Sequence, residues 1–250
     1  MSAQQAGGAG GGFPLTRLSA VFGTRSDDPE LRAQAYEALI GSYWRPVYKY
    51  VRVKWKASFE DAQDLTQAFF TRAMEKEFFK RYDPAKARFR TYLRACLDGF
   101  LANEQRAARR LKRAGDLELV PLDFAGAEGE LRQRDIPDGT DLEEFFHQEW
   151  VRGLFAQAVD TLRERSAASG KTTHFSLFER YDLEGPDSPG RLTYQDLARE
   201  FGLPATQVTN YLAWARREFR GIVLEKLRAA TASEEEFRSE ARHILGSDPA

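Results

Sequence analysis

Between Leu192 and Arg217 the sequence sets Ala198, Gly202 and Val208 four and six positions apart, the packing arithmetic of a helix-turn-helix. A small alanine lets the first helix lie close on the second, Gly202 takes the turn, and Val208 buries beneath the second helix. Thr193 is placed to cap the first helix, and Pro204 stands where the second begins. The hydrogen-bonding side chains Thr206, Gln207, Thr209 and Asn210 follow. At the N-terminal end of a recognition helix such groups reach base edges in the major groove, so the chemistry on offer is sequence readout of duplex DNA. Arg216, Arg217 and Arg220, further along, suit phosphates, which position a protein without reading sequence.

A second set of residues points to nucleic acid by another route. Arg81, Lys86, Arg88, Arg90, Arg94, Arg106, Arg109, Arg110, Lys112 and Arg113 meet only Asp83, Asp98 and Glu104 in the same span, ten basic residues against three acidic. Arg90, Tyr92 and Arg94 interleave charge with a ring able to stack on an unpaired base, and Arg106, Arg109, Arg110 and Arg113 form a cluster that would track a backbone. From Asp116 to Trp150 the sign reverses: carboxylates including Asp123, Glu128, Glu130 and Glu149 face only Arg132 and Arg134. The net charge of −1 conceals this segregation.

Other chemistry has little to work with. One cysteine, Cys96, excludes a disulfide framework and a thiolate zinc site, and His147, His174 and His243 are scattered. There is no clustered His/Asp/Glu set, no phosphate-cradling glycine loop and no nucleophile beside a positioned base. The expectation is therefore no catalytic residue, no metal, no cofactor and no enzyme activity. Met1 to Gly12 has neither a basic n-region nor an apolar h-region, and no stretch approaches the roughly 20 apolar residues that span a bilayer. The sequence reads as a disordered leader on a cytoplasmic protein without a membrane partner.

The elements that must hold these residues are helical. A composition of 42% hydrophobic and 30% charged residues, with few Val/Ile runs, favours an all-α fold of two helical domains. A helix starts at Ser26-Asp-Asp-Pro29, and Gly41 and Pro46 are expected to punctuate it before an aromatic stripe of Trp44, Tyr48 and Trp55. A long helix after Ser58 carries Phe59, Ala62, Leu65, Phe69 and Ala73 on one face, and the next places Phe89, Leu93, Leu97, Phe100 and Leu101 inward. These give a disordered leader over 1–12, a four-helix domain over 13–114, an acidic flexible linker over 115–140, a helix-turn-helix domain over 141–231 and a tail over 232–250. The tail holds a short amphipathic helix.

In this order the parts resemble the sigma factors of RNA polymerase, in the sigma-70 family, of the extracytoplasmic-function type. The segment Asp61-Ala-Gln-Asp-Leu-Thr-Gln-Ala-Phe-Phe is similar to the family's core-polymerase-binding segment, and Tyr82-Asp-Pro-Ala-Lys-Ala-Arg-Phe-Arg-Thr-Tyr-Leu to its minus-ten reading and melting segment. The resemblance spans about residues 28–114, region-2-like, and 145–228, region-4-like. It implies core RNA polymerase and promoter DNA as partners, with Asp61, Asp64, Thr66 and Gln67 at the polymerase. Arg88, Arg90, Tyr92, Arg94, Asn103, Arg106, Arg109 and Arg110 would meet the minus-ten strand, whose bases would be flipped into a pocket. Thr206, Gln207, Thr209, Asn210, Arg216 and Arg217 would meet the minus-thirty-five element. It implies too that the acidic linker threads the polymerase cleft, its carboxylates mimicking RNA.

Most relatives carry further acids where this chain has Gln63 and Ala68. The context Asp-Leu-Thr-Gln resembles a subgroup activated by a Ser/Thr protein kinase, which makes Thr66 the candidate phosphorylation site. A phosphate there would supply about −1.5 to −2 charges. Against this, Thr66 falls on the same helical face as Phe59, Ala62 and Ala73, where a plain packing threonine would sit. An anti-sigma factor is an alternative regulator. The rival reading of the whole is a dimeric helix-turn-helix regulator that works without polymerase.

Overall fold

The computed structural model describes residues 20–108, 122–134, 136–137, 139–184 and 192–246. The leader, Arg109, Arg110 and most of the loop preceding Leu192 lie outside them. Every regular element among the described residues is helical: α1 (Ala20–Gly23), α2 (Pro29–Trp55), α3 (Phe59–Glu75), α4 (Phe89–Ala108), α5 (Phe124–Arg132), α6 (Leu142–Ala168), α7 (Thr172–Phe178), α8 (Tyr194–Phe201), α9 (Ala205–Ala230) and α10 (Glu234–Leu245). A 3₁₀ turn, Phe78–Arg81, follows α3, and a π turn, Glu179–Leu183, extends α7.

Local side-chain caps begin most of these helices. The Asp28 carboxylate accepts from the Glu30 and Leu31 amides at 2.9 and 3.4 Å, with Pro29 in the first turn of α2. Ser58 accepts from Asp61 N at 3.0 Å to start α3, Asp141 caps α6, and Ser233 caps α10. Helix α2 then departs from expectation, running unbroken through Gly41 and Pro46. It lies at the centre of the molecule, packed by α1, α3, α5, α6 and α9, and buries Tyr36, Leu39, Tyr43, Val47, Tyr48, Tyr50 and Val51 around its circumference. Proline withholds an amide from the Ser42 carbonyl one turn back, and Gln157 of α6 donates Nε2 to the neighbouring Gly41 carbonyl at 2.7 Å.

The two expected domains share one continuous core. Tyr43 of α2 stacks on Trp150 of α6 at 6.0 Å between ring centroids, Tyr50 meets Phe146 edge-on, and the Tyr43 hydroxyl donates to the Ala230 carbonyl of α9 at 3.2 Å. The same cluster of buried residues extends from α1 to Ala241 of α10.

The segment expected to be a flexible linker is also corrected where it is described. Helix α5 occupies its middle and is tied to α2 by two ionic clusters. In the first, Glu128 is almost fully buried, accepts from Arg52 Nη2 at 2.7 Å and Nε at 2.9 Å, and accepts from the Tyr48 hydroxyl at 2.6 Å. In the second, Lys49 Nζ lies 2.6 Å from Glu130 and 2.7 Å from Glu149 of α6, whose other oxygen takes Arg134 and Arg152. An acidic composition that reads as a solvated tether instead supplies carboxylates to Arg45, Lys49 and Arg52 of α2.

These clusters set a response to acid. Hydrogen bonds from Arg52 outweigh burial and, with those from Tyr48 and Arg132, hold the Glu128 carboxyl down to about 2. Burial alone would raise Glu149, but Lys49, Arg152 and Arg134 hold it below the usual range. A carboxyl depressed in the folded state stabilises fully above its unfolded pKa of about 4.5, and that stabilisation disappears as pH falls through the folded value. Glu236, raised by burial, contributes in the opposite sense. The melting temperature followed by circular dichroism is therefore expected to fall steeply from pH 4.5 toward pH 2. A flat profile over that window would remove the two clusters as stabilising elements.

Candidate nucleic-acid interface

The helix-turn-helix is formed by α8 and α9. Thr193 Oγ accepts from Asp196 N at 3.2 Å while the Asp196 carboxylate accepts from Thr193 N at 3.0 Å, a reciprocal box that closes the start of α8. Gly202 ends α8 at φ +63°, a left-handed conformation that glycine adopts without strain, and Pro204 precedes the first turn of α9. Leu197, Val208 and Leu212 are fully buried between the two helices and their neighbours, and Ala198 is partly buried beside them. Thr206, Gln207, Thr209 and Asn210 are all exposed on the opposite side of α9.

Arg216 is placed differently from the sequence reading. Its guanidinium grips Asp182 of the π turn through Nε at 3.0 Å and Nη2 at 2.9 Å, and Nη1 donates to the Tyr194 hydroxyl at 3.1 Å. Arg216 thus fastens α9 to α8 and to the π turn, with each of its three nitrogens bonded within the chain. Arg217, one position on, is exposed.

The basic helix α4 divides its residues between two faces. The sequence groups Arg90, Tyr92 and Arg94 as one interleaved surface, yet residues two apart on an α-helix point about 200° from each other. Tyr92 faces one way, packs on Tyr82 at 5.3 Å between centroids and donates its hydroxyl to the Phe78 carbonyl at 2.7 Å. With Phe78, Phe100, Asn103, Arg72 and Arg81 it lines an open cavity of about 240 Å³. Asn103 and Arg106 are exposed toward the end of α4. Arg90 and Arg94 face the other way and are covered. Arg94 lies 3.2 Å from Glu143 of α6, while Arg88 and Arg90 both pair with Glu240 of α10.

Arg72 and Arg81 were not chosen as site residues from sequence. Arg81 counted only toward the charge of its span, and Arg72 sits on α3, so nothing local joined either to Tyr92.

On α3, Asp61, Asp64 and Gln67 are exposed, and Ala68 continues the same face one turn on. Thr66 is not part of it. It is fully buried, and its hydroxyl donates to the Ala62 carbonyl at 2.7 Å.

Residues 39–111 match the family model for sigma-70 region 2. The match takes in α2 from Leu39, all of α3 and α4, the exposed acidic face and the cavity beside Tyr92. Helices α5 to α10, the helix-turn-helix among them, lie beyond the end of this region 2. No curated relative and no solved structure matches the chain. The likeness to sigma-70 is thus one of this stretch, residues 39–111, and of the helices it contains. No helix among the described residues is long and apolar enough to cross a membrane.

Proposed function

We propose that the chain is a cytoplasmic, non-enzymatic sigma factor of the extracytoplasmic-function type that brings core polymerase to promoters by reading two elements. The observation that carries the reading is the combination, in one chain, of region 2 with a helix-turn-helix whose groove-facing side chains are open. On this reading Asp61, Asp64 and Gln67 meet polymerase, and the cavity beside Tyr92 and Asn103 receives an unstacked base of the minus-ten element. Thr206, Gln207, Thr209 and Asn210 read the minus-thirty-five element, with Arg217 on a phosphate. The segment containing α5 threads the polymerase cleft, which requires its release from α2. A polymerase-independent dimer would have no use for region 2.

Run-off transcription with purified core polymerase on a pool of genomic fragments tests the proposal. Start sites that require the protein are the expected result. Absence of start sites, together with tight binding of the protein alone to duplex DNA, would favour the dimeric regulator.

Control by a Ser/Thr kinase at Thr66 belongs to the same proposal, with an added condition set by burial. A kinase reaches this hydroxyl only when α3 moves away from its neighbours, and a phosphate of about −1.5 to −2 charges could not return to an apolar site. Phosphorylation would thus both hold α3 outward and add the negative charge that Gln63 and Ala68 fail to supply. Thr66→Asp is expected to bind core polymerase more tightly than Thr66→Ala while melting at a lower temperature. Equal binding by the two variants would remove the switch and leave control to an anti-sigma factor or the tail.

A further inference from the structure

Helix α10 meets the first turn of α4 with three polar side chains. Glu240, fully buried, places Oε1 2.6 Å from Arg88 Nη1 and also accepts from Arg90 Nη1. Ser239 accepts from Arg88 Nη2 at 3.1 Å, and Glu236 accepts from the backbone amide of Phe89 at 3.0 Å. Two guanidiniums and a backbone amide at a helix N-terminus are the donor set that takes a phosphodiester. In this structure an acidic helix from the far end of the chain fills it.

The contact is held by packing, with Phe237 and Ala241 buried and Arg228 of α9 lying 3.9 Å over the Phe237 ring. The second oxygen of Glu240, Oε2, faces His147 Nε2 of α6 at 3.6 Å.

We propose that α10 is an intramolecular stand-in for the nucleic-acid backbone, occupying the anion site formed by Arg88, Arg90 and the Phe89 amide until single-stranded DNA displaces it. The inference rests on the reading of α4 as a strand-binding helix. It goes beyond that reading by assigning the tail a competitor's role.

Affinity for a fluorescein-labelled oligothymidylate measures the competition in the full chain. Glu236→Gln/Glu240→Gln keeps the shape of α10 while removing its two site-filling charges. It is expected to bind about ten-fold more tightly than the natural chain, as follows when an occluded site is freed. Glu234→Gln/Glu235→Gln removes the same charge from α10 outside the contact and is expected to change little. Equal gains from the two pairs, or none from the first, would overturn the proposal. A second measurement needs no substitution: saturating oligonucleotide should accelerate amide hydrogen exchange across α10 in the natural chain, and unchanged protection of α10 in the bound state would also overturn it. Core-polymerase binding by the same proteins is scored separately. Its absence would remove the sigma reading, whereas a failed competition with polymerase binding intact would remove only the role of α10.

Discussion

Glu149→Ala is expected to cost about 3–5 kcal/mol of folding stability, measured by urea denaturation. The carboxylate is entirely enclosed and faces a nearly enclosed ammonium, Lys49, at 2.7 Å, with Arg134 and Arg152 on its other oxygen. Truncation leaves a buried cation with only the half-exposed Glu130 opposite. It also frees Arg134, which ties the segment between α5 and α6 to α6, and Arg152 of α6 itself. Glu149→Gln keeps an acceptor and the volume and should lose distinctly less. Because one core runs through both halves, the unfolding transition should shift as a whole. If it instead splits in two, or moves by under about 1 kcal/mol, the cluster is not what joins α2, α5 and α6.

The second large effect concerns assembly. Asp61→Arg/Asp64→Arg is expected to weaken binding to core polymerase by about a hundred-fold or more. Reversing two charges on a surface that meets a basic partner costs several kcal/mol, and about 2.8 kcal/mol already corresponds to a hundred-fold. Both residues are exposed, so the fold should tolerate the change; losing a first-turn carboxylate from α3 costs at most about 1 kcal/mol. Fluorescence titration against core polymerase, with a thermal melt as control, separates the two effects. Undiminished binding would move the polymerase contact off this face of α3.

What was legible in the sequence follows the range of the interactions. The caps at Asp28, Ser58 and Thr193 were readable because a side chain and an amide two or three positions away settle each one. The helix-turn-helix was readable for the same reason, its turn and buried positions lying within one short segment. Pro46 misled because the packing that carries α2 through it comes from helices distant in sequence, α6 and α9 among them. Helix α5 was missed because glycines and carboxylates resemble a tether until Lys49, Arg52 and Tyr48 are set against them. The division of Arg90 from Tyr92 was within reach of helical geometry alone, whereas the pairing of Arg88 and Arg90 with Glu240 spans some 150 residues. Thr66 shows both sides, since its helical face already suggested burial while the surrounding motif suggested exposure.

The anchoring of α5 bears on how hard the protein is to recruit. If polymerase accepts only the form in which α5 has left Lys49 and Arg52, the measured affinity is the intrinsic one multiplied by the fraction of molecules already open. Were α5 held down by about 4 kcal/mol, that fraction would be of order one in a thousand, and the free protein would compete poorly for polymerase at ordinary abundance. Any event that loosens α5 would then raise occupancy in proportion, without altering a single residue at the polymerase surface.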